Sequence, residues 1–329
     1  MIVAERDGTR PLVSVVVPTY NSARTIERCL RALLTQETDH PFEVIVVDSG
    51  QDATLEAAAG VSSKIRTIRL PERAVAPAAR NAGARAARGD ILAFIDSDAY
   101  ADDAWIDNVV RAADTGYDLV CGSIANANPR SAVARAEQLL MFNEFLPELA
   151  GGPYWFALSG NMLLRRSSFD RYGPFVGVRA AEDVVFSRRL LDAGGTVLFY
   201  PALRVAHENR TRLRPYFRNQ FVVGKHTAIA RRLVRFADTQ RYWLFLALLP
   251  VAPAAKLAKI VGRLAVRSPR SLIEVGRQLP LLLAGIFAYS AGLVAGALTP
   301  SAKIHGMGGP SLDRIAAHER CASDSVKTA

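Results

Sequence analysis

Cysteine is scarce in this chain. Three residues, Cys29, Cys121 and Cys321, are spread over 329 positions with no metal-ligand spacing, and their odd number leaves no closed disulfide framework. That excludes a small disulfide- or zinc-stapled fold and points to the reduced thiols of a cytosolic compartment. Met1 to Arg10 lacks an apolar run, so no secretory signal is predicted. Zinc-finger spacings and the aromatic signature of an RNA-binding sheet are missing too, so the net charge of +10 does not point to nucleic acid. Acidic residues are thinnest between Arg204 and Arg277, where sixteen Lys and Arg face only Glu208, Asp238 and Glu274. This stretch carries +13 and the remainder of the chain −3. Apolar segments are threaded through it, which favours an anionic membrane surface over nucleic acid.

Apolar residues are plentiful, making up 50% of the chain, so a large core is easily built. The length has room for about two domains. The first half alternates strand and helix patterns. Leu12–Val17, Phe42–Asp48, Ile65–Leu70 and Ile91–Ile95 read as strands. Ser22–Thr35, the Ala-rich run from Ala53, and Ala76–Ala87 read as helices between them. Such an order predicts an α/β fold with a doubly wound, mostly parallel, Rossmann-like sheet. Further on, Asp102–Thr115, Ser131–Leu146 and Ala181–Ala193 have helical patterns, whereas Asp118–Gly122, Tyr154–Arg165 and Thr196–Tyr200 look like strands.

The last third changes character. Tyr242–Ala255 is uncharged but short for a bilayer span, which suits a re-entrant or interfacial segment. Gln278–Ala302 carries no charge and is long enough to cross, so a transmembrane helix is predicted at 278–299, with a buried core helix as the rival. Between them, a loop from Lys256 to Arg277 is rich in Lys and Arg and belongs on the cytoplasmic side by the positive-inside rule. This fits a cytosolic first domain if Tyr242–Ala255 dips in without crossing, or if both segments lie in the interface. Gly292-x-x-x-Gly296 is either a helix-packing face or a chance product of an Ala/Gly-rich segment. The predicted division is 1–235, 236–302, and a flexible tail over 303–329.

One motif stands out chemically. Asp96-Ser97-Asp98 follows the apolar run Ile91–Ile95, so two carboxylates sit at the carboxyl end of a strand, where open α/β sheets bind ligands. Two such charges repel by about 4 kcal/mol at ~4 Å and an effective dielectric of ~20. A cation between them relieves this, and oxygen ligands suit Mg²⁺ or Mn²⁺. A solvated turn is the competing reading.

Five motifs come in order: Val15-Val-Val-Pro-Thr-Tyr-Asn21, Val46-Val-Asp-Ser-Gly50, Ala79-Arg-Asn-Ala-Gly83, Gly89-Asp90 with Phe94-Ile-Asp-Ser-Asp98, and Glu182-Asp183. On these the chain from about Pro11 to His207 resembles the family 2 glycosyltransferases, which have the GT-A fold and invert the anomeric carbon. One departure is visible: many relatives have a longer Asp-Asp-Gly-Ser-Thr-Asp turn where this chain has Asp48-Ser-Gly-Gln-Asp52.

The resemblance implies a nucleotide-sugar donor, UDP or GDP linked, and a divalent metal, Mn or Mg. Pro18, Thr19 and Asp48 match positions lining the base, and Arg80 a basic residue near base and phosphates. Asp96 leans toward the ribose, and Asp98 toward the metal with help from Asp96. His207 is a possible third metal ligand. Asp183 corresponds to the general base that takes the acceptor proton, although Glu182 and Asp183 would also suit the N-terminus of a helix. Trp155, Gly160, Asn161 and Glu182 fall in the acceptor-side region. The Gln-x-x-Arg-Trp signature of processive synthases is absent, so single or few sugar additions are predicted. The acceptor is a glycan or lipid-linked molecule of the cell envelope, at the cell membrane with the catalytic domain on the cytoplasmic side. Two rival functions remain at this level. One is a haloacid dehalogenase-like phosphatase, which also places Asp-x-Asp after an apolar strand. The other is a non-catalytic, membrane-bound nucleotide-sugar binder.

Overall fold

The computed structural model describes residue 2 and residues 10–176, 180–234 and 245–299. The predicted tail, Cys321 and residues 242–244 lie outside these. The first half follows the predicted alternation: β1 Val13–Thr19, α1 Ile26–Leu34, β2 Phe42–Asp48, α2 Thr54–Val61, β3 Arg66–Arg69, α3 Ala76–Ala86 and β4 Ile91–Ile95. Every residue of β1, β2 and β4 is buried. Strand side chains alternate between faces, so both faces of this part of the sheet are covered, as its near-continuous apolar runs require.

The second half adds β5 Ala99–Ala101, α4 Trp105–Ala113, β6 Leu119–Asn126, α5 Ala132–Phe142, β7 Gly152–Pro153 and β8 Asn161–Arg165. Then come α6 Arg166–Tyr172, α7 Glu182–Asp192 and β9 Val197–His207. One sheet results, in the order β3-β2-β1-β4-β8-β6-β9-β5, with β7 on β9. The β3-β2-β1-β4 half is parallel. Beyond β4 the directions mix: β8 is antiparallel to β4 and β6, while β6 and β9 are parallel.

Two strands differ from their sequence patterns, and both differences build the site. Tyr154–Arg165 is a strand only from Asn161, because Phe156 and Ala157 turn inward and the Ala157 N–H donates to Ser187 Oγ at 3.0 Å. Antiparallel pairing then sets Asn161 opposite Ile95, beside the tip of β4. The predicted Thr196–Tyr200 strand continues to His207 through an irregularity at Gly122/Ser123, where Ser123 Oγ donates to the Pro201 carbonyl at 2.7 Å. Short β5, directly after the carboxylate motif, pairs Ala99 with His207.

Three helices follow: α8 Leu213–Val234, α9 Ala252–Arg267 and α10 Ser271–Ala297. The predicted loop Lys256–Arg277 is therefore helical, broken only near Ser268-Pro269-Arg270. Its Ala, Leu, Lys and Arg content favours helix, and proline ends it. α10 is long and apolar enough to cross a membrane. It is nevertheless docked along its length. A methyl on Gly224 would lie 1.9 Å from the Tyr289 carbonyl oxygen, on Gly292 2.0 Å from that of Phe221, and on Gly296 2.1 Å from that of Lys225. Gly292-x-x-x-Gly296 is thus a packing face against α8 of the same chain. Tyr216 Oη donates to the Leu281 carbonyl at 2.9 Å, and Arg135 on α5 pairs with Glu274 at 2.8 Å. Ile260, Leu264, Val275, Leu282 and Ile286 are continuous with the sheet's own core.

α9 is amphipathic in an inverted sense. Ile260 and Leu264 are buried, and Arg263 and Arg267 turn inward, to Glu144 at 3.0 Å and to the Ala150 carbonyl at 2.9 Å. Of its exposed residues, Ala254, Ala255, Ala258, Val261, Ala265 and Val266 are apolar and Lys259 is charged; Val266 is 83% exposed. Phe287, 62% exposed, and Leu298 extend apolar exposure onto α10.

Candidate active site

The carboxyl ends of β1, β2 and β4 converge on a cleft of about 120 Å³ lined by Pro18, Thr19, Tyr20, Ser49, Ala74, Ala76, Ala79 and Asp96-Ser97-Asp98. Pro18, Thr19, Asp96 and Asp98 are therefore together, as predicted. Asp48 stands behind this wall rather than in it. It is fully buried, accepts from Thr19 Oγ1 at 2.8 Å, and pairs with Arg69 at 3.2 Å. It fixes Thr19 at the end of β1. Asp52, in the shortened turn, accepts from the Ala23 N–H at 3.1 Å and the Thr54 N–H at 3.2 Å. It ties the turns after β1 and β2 together.

Arg80 is the structural centre. Its guanidinium is buried and bridges Asp96 and Glu182, each at 2.7 Å. One side chain thus joins the tip of β4 to the start of α7, with the fork geometry that lets arginine hold two carboxylates at once. Its Nε is buried without a partner. The neighbouring Asn81 clamps the approach to α7, donating to the Phe175 carbonyl at 2.8 Å and accepting from its N–H at 2.9 Å. Gly160 lies against Asp96, where a methyl would come within 2.6 Å of Oδ2.

Asp98 faces His207, Oδ1 to Nε2, at 3.4 Å. Burial opposes both charges. The partner's charge, the hydrogen bond between them and neighbouring groups together outweigh it, so the Asp98 carboxyl falls to about 2 and the His207 imidazole rises to about 9. His207 Nδ1 meets Asn209 Oδ1 at 2.9 Å, and the Asn209 amide nitrogen donates to the Ala134 carbonyl at 3.3 Å, which fixes the amide's orientation. Asn209 thereby accepts from Nδ1–H, so Nε2 carries its proton toward Asp98 and would give it up to a cation bound between the two. An oxygen and an imidazole nitrogen so placed fit a divalent cation. Among the described residues no group of three or more His, Cys, Asp or Glu could hold a metal, so substrate oxygens and water would supply the remaining positions. Asp96 is committed to Arg80.

Asp183 opens α7. Its carboxylate accepts from the Val184 N–H at 2.8 Å and the Ser159 N–H at 3.4 Å. Burial, then the Glu182 charge, raises its pKa to about 7. It lines a second, larger cavity of about 580 Å³ between the sheet and the C-terminal helices. Trp155, 50% exposed, stands at the same side and donates through Nε1 at 3.1 Å to Glu144, which lines that cavity. Asn161 does not: it is fully buried, donates to the Ser123 and Leu203 carbonyls at 3.0 and 2.9 Å, and accepts from Trp105 Nε1 at 3.0 Å. Asn161 thus joins β8 to β6 and β9. Glu182 likewise acts through Arg80. Asn209, Asn81, and the cavity cations Arg231, Lys256, Lys259 and Arg263 escape a reading of motifs. Only the basic excess after Arg204 signalled the last four.

Residues 14–173 match the family described as Glycosyl transferase family 2. Glycosyltransferase AglE of Haloferax volcanii is 30% identical over 257 residues, covering 75% of this chain and 84% of that protein. The chain belongs to glycosyl transferase family 2. It is a glycosyltransferase of GT-A fold, and the phosphatase reading of Asp96-Ser97-Asp98 is set aside. The pre-mycofactocin glycosyltransferase of Mycobacterium tuberculosis is 29% identical over 230 residues, covering 67% of this chain and 48% of that protein. Among solved structures, mannosyltransferase PcManGT from Pyrobaculum calidifontis, in complex with GDP-Man and Mn²⁺, has the same fold. Its TM-score is 0.56 at 22% identity, covering 87% of this chain and 88% of that one.

Proposed function

We propose that this glycosyltransferase moves one sugar, with inversion, from a UDP- or GDP-linked donor to an acceptor hydroxyl at the cytoplasmic face of the cell membrane. The Arg80 bridge carries the proposal. It locks a donor cleft ending in Asp96 and Asp98 to a helix whose first turn presents a carboxylate with a pKa of about 7 to a second cavity. That pKa suits a general base at neutral pH. Asp183 takes the hydroxyl proton, the hydroxyl oxygen forms its bond to the anomeric carbon, and the bond from that carbon to the diphosphate oxygen breaks with its electrons on the diphosphate. Asp98 and His207 would hold a divalent cation, Mn²⁺ or Mg²⁺, which when bound would neutralise charge on the departing diphosphate. The buried, unpartnered Nε of Arg80 supplies a donor for a phosphate oxygen.

Association with the membrane is supported by the outward apolar face of α9 and its continuation onto α10. α10, long and apolar enough to cross a membrane and packed on α8, adds a second apolar element to that association. Cys29 and Cys121 are buried free thiols, in keeping with a reducing compartment. Release of nucleoside diphosphate, measured with each donor, tests the reaction. In Asp183→Asn the rate should fall by about 10²- to 10⁴-fold with nucleotide affinity unchanged. Unaltered turnover in that variant would point instead to a binder or to another base.

A further inference from the structure

The larger cavity holds more than a sugar hydroxyl needs. Its wall combines Asp183 with four cations, Arg231, Lys256, Lys259 and Arg263, and with the apolar side chains of Phe245, Leu248, Leu249 and Val251. Only Arg263 has an acidic partner, Glu144 at 3.0 Å. Among the described residues no carboxylate pairs with Arg231, Lys256 or Lys259. Lys256 rests over the Tyr289 ring at 3.7 Å, and Arg231 over Phe245 at 5.6 Å. Burial pushes the Lys256 ammonium below its usual range, with Tyr289 and Glu144 opposing this. Uncompensated cations beside an apolar cluster call for an anion with a hydrocarbon attached. Leu248 and Val251, 51% and 54% exposed, stand where this apolar lining meets the outward face of α9.

We infer that this cavity is the acceptor site and that its occupant is a phosphate-linked glycolipid. Its sugar hydroxyl meets Asp183, its phosphate meets the Arg231–Lys256–Lys259 group, and its hydrocarbon leaves past Leu248 and Val251. This rests on Asp183 being the base of the proposed transfer. It goes further in separating the nucleophile from the charge: a base near neutrality serves a hydroxyl, and the phosphate is an anchor that takes no part in bond making. A volume of about 580 Å³ is in the range that encloses a ligand of this size. The chemistry also places the enzyme in a sequence. An earlier transfer of a sugar or sugar phosphate onto a lipid phosphate must supply such an acceptor.

The test is calorimetry on the full chain with decyl phosphate, inorganic phosphate and the neutral amphiphile decyl maltoside, each below its micelle concentration. Nucleoside diphosphate with Mn²⁺ is titrated separately. Decyl phosphate should bind at least about tenfold more tightly than either control. Replacing Lys256 and Lys259 by Gln should weaken it by about ten- to a hundredfold and leave decyl maltoside unaffected. Ala255→Trp, on the exposed side of α9 and lining the cavity, should block both amphiphiles and leave nucleotide affinity unchanged. Equal binding of inorganic phosphate would mean a free-phosphate site. Equal binding of decyl maltoside, or no effect of the Gln variants, would mean no phosphate anchor. Either result overturns the inference. Loss of nucleotide binding with decyl phosphate binding retained would instead remove the transfer reaction and leave the lipid site standing.

Discussion

Replacing Arg80 by Met tests the strut at the centre of the site. The side chain is 3% exposed, and its partners Asp96 and Glu182 are 35% and 6% exposed. Each ion pair is worth about 4 kcal/mol of Coulomb energy at ~4 Å and an effective dielectric of ~20. Desolvation offsets part of this, so deletion should destabilise by about 3–5 kcal/mol, chiefly through the stranded Glu182 carboxylate. A chain this long should then lose roughly 10 °C in Tm. The kinetic consequence is separate. Arg80 also draws the Asp183 pKa down, against burial and Glu182. Without it that pKa rises above its value of about 7, and Asp183 is protonated over more of the neutral range. The acid limb of the kcat/KM profile should move to higher pH, with transfer depressed at least about tenfold near pH 7 and partly recovered toward pH 9. Scanning calorimetry and diphosphate release from about pH 5.5 to 9 read the two effects. Arg80→Lys should rescue neither fully, because one ammonium does not span two carboxylates. An unchanged acid limb with wild-type Tm would refute the strut, and a lowered Tm with an unmoved limb would detach Arg80 from the base.

Gly160→Ala should push Asp96 aside, since its methyl would lie 2.6 Å from Oδ2. Donor KM should rise, and Tm should fall by the equivalent of about 1–3 kcal/mol; an unchanged KM would show that Asp96 does not touch the donor. Removing divalent metal with a chelator should abolish transfer, with Mn²⁺ or Mg²⁺ restoring it in the parent but poorly in His207→Ala, as read by metal titration of diphosphate release. Glu43 is fully buried and accepts from Ser14 at 2.7 Å and the Arg88 N–H at 2.7 Å, and pairs with Arg66 at 2.7 Å. Glu43→Ala should therefore destabilise by about 3 kcal/mol in denaturant unfolding, leaving donor KM alone. A changed KM with unchanged stability would argue against its role as a pin.

The parallel half of the sheet was legible because β1, β2 and β4 are buried on both faces, and such strands must be written as unbroken apolar runs. The site was legible where local sequence sets position: Asp96 and Asp98 sit where a strand ends, and Asp183 where a helix begins. What pattern reading missed depends on pairing between distant segments. Asp98 reaches His207 only because β5 pairs with the end of β9, and β9 extends that far only through an irregularity that Pro201 conceals. Asn161 was placed toward the acceptor by the resemblance of Ser159-Gly-Asn161, with a packed strand as the rival, and its hydrogen bonds are set by pairing that the motif does not show. Gly160 meets Asp96, and Asn161 is turned into the sheet's interior.

The C-terminal helices show why composition alone leaves their geometry open. A run without charge satisfies the length requirement of a membrane span and equally that of a helix docked on protein. Small residues that line up on one side let a partner helix approach closely in either case. Gly285, Gly292 and Gly296 do so, against Tyr216, Phe221 and Lys225. The same docking explains the inverted α9. With its arginines drawn inward to Glu144 and the Ala150 carbonyl beside the buried Ile260 and Leu264, the outside is left mainly to Val261, Ala265 and Val266, and a face of that kind suits lipid. The basic excess that first suggested a membrane therefore serves two purposes in space. Arg263 and Arg267 pin the helix to the catalytic domain, whereas Arg231, Lys256 and Lys259 line the cavity beneath it with no carboxylate paired to them among the described residues.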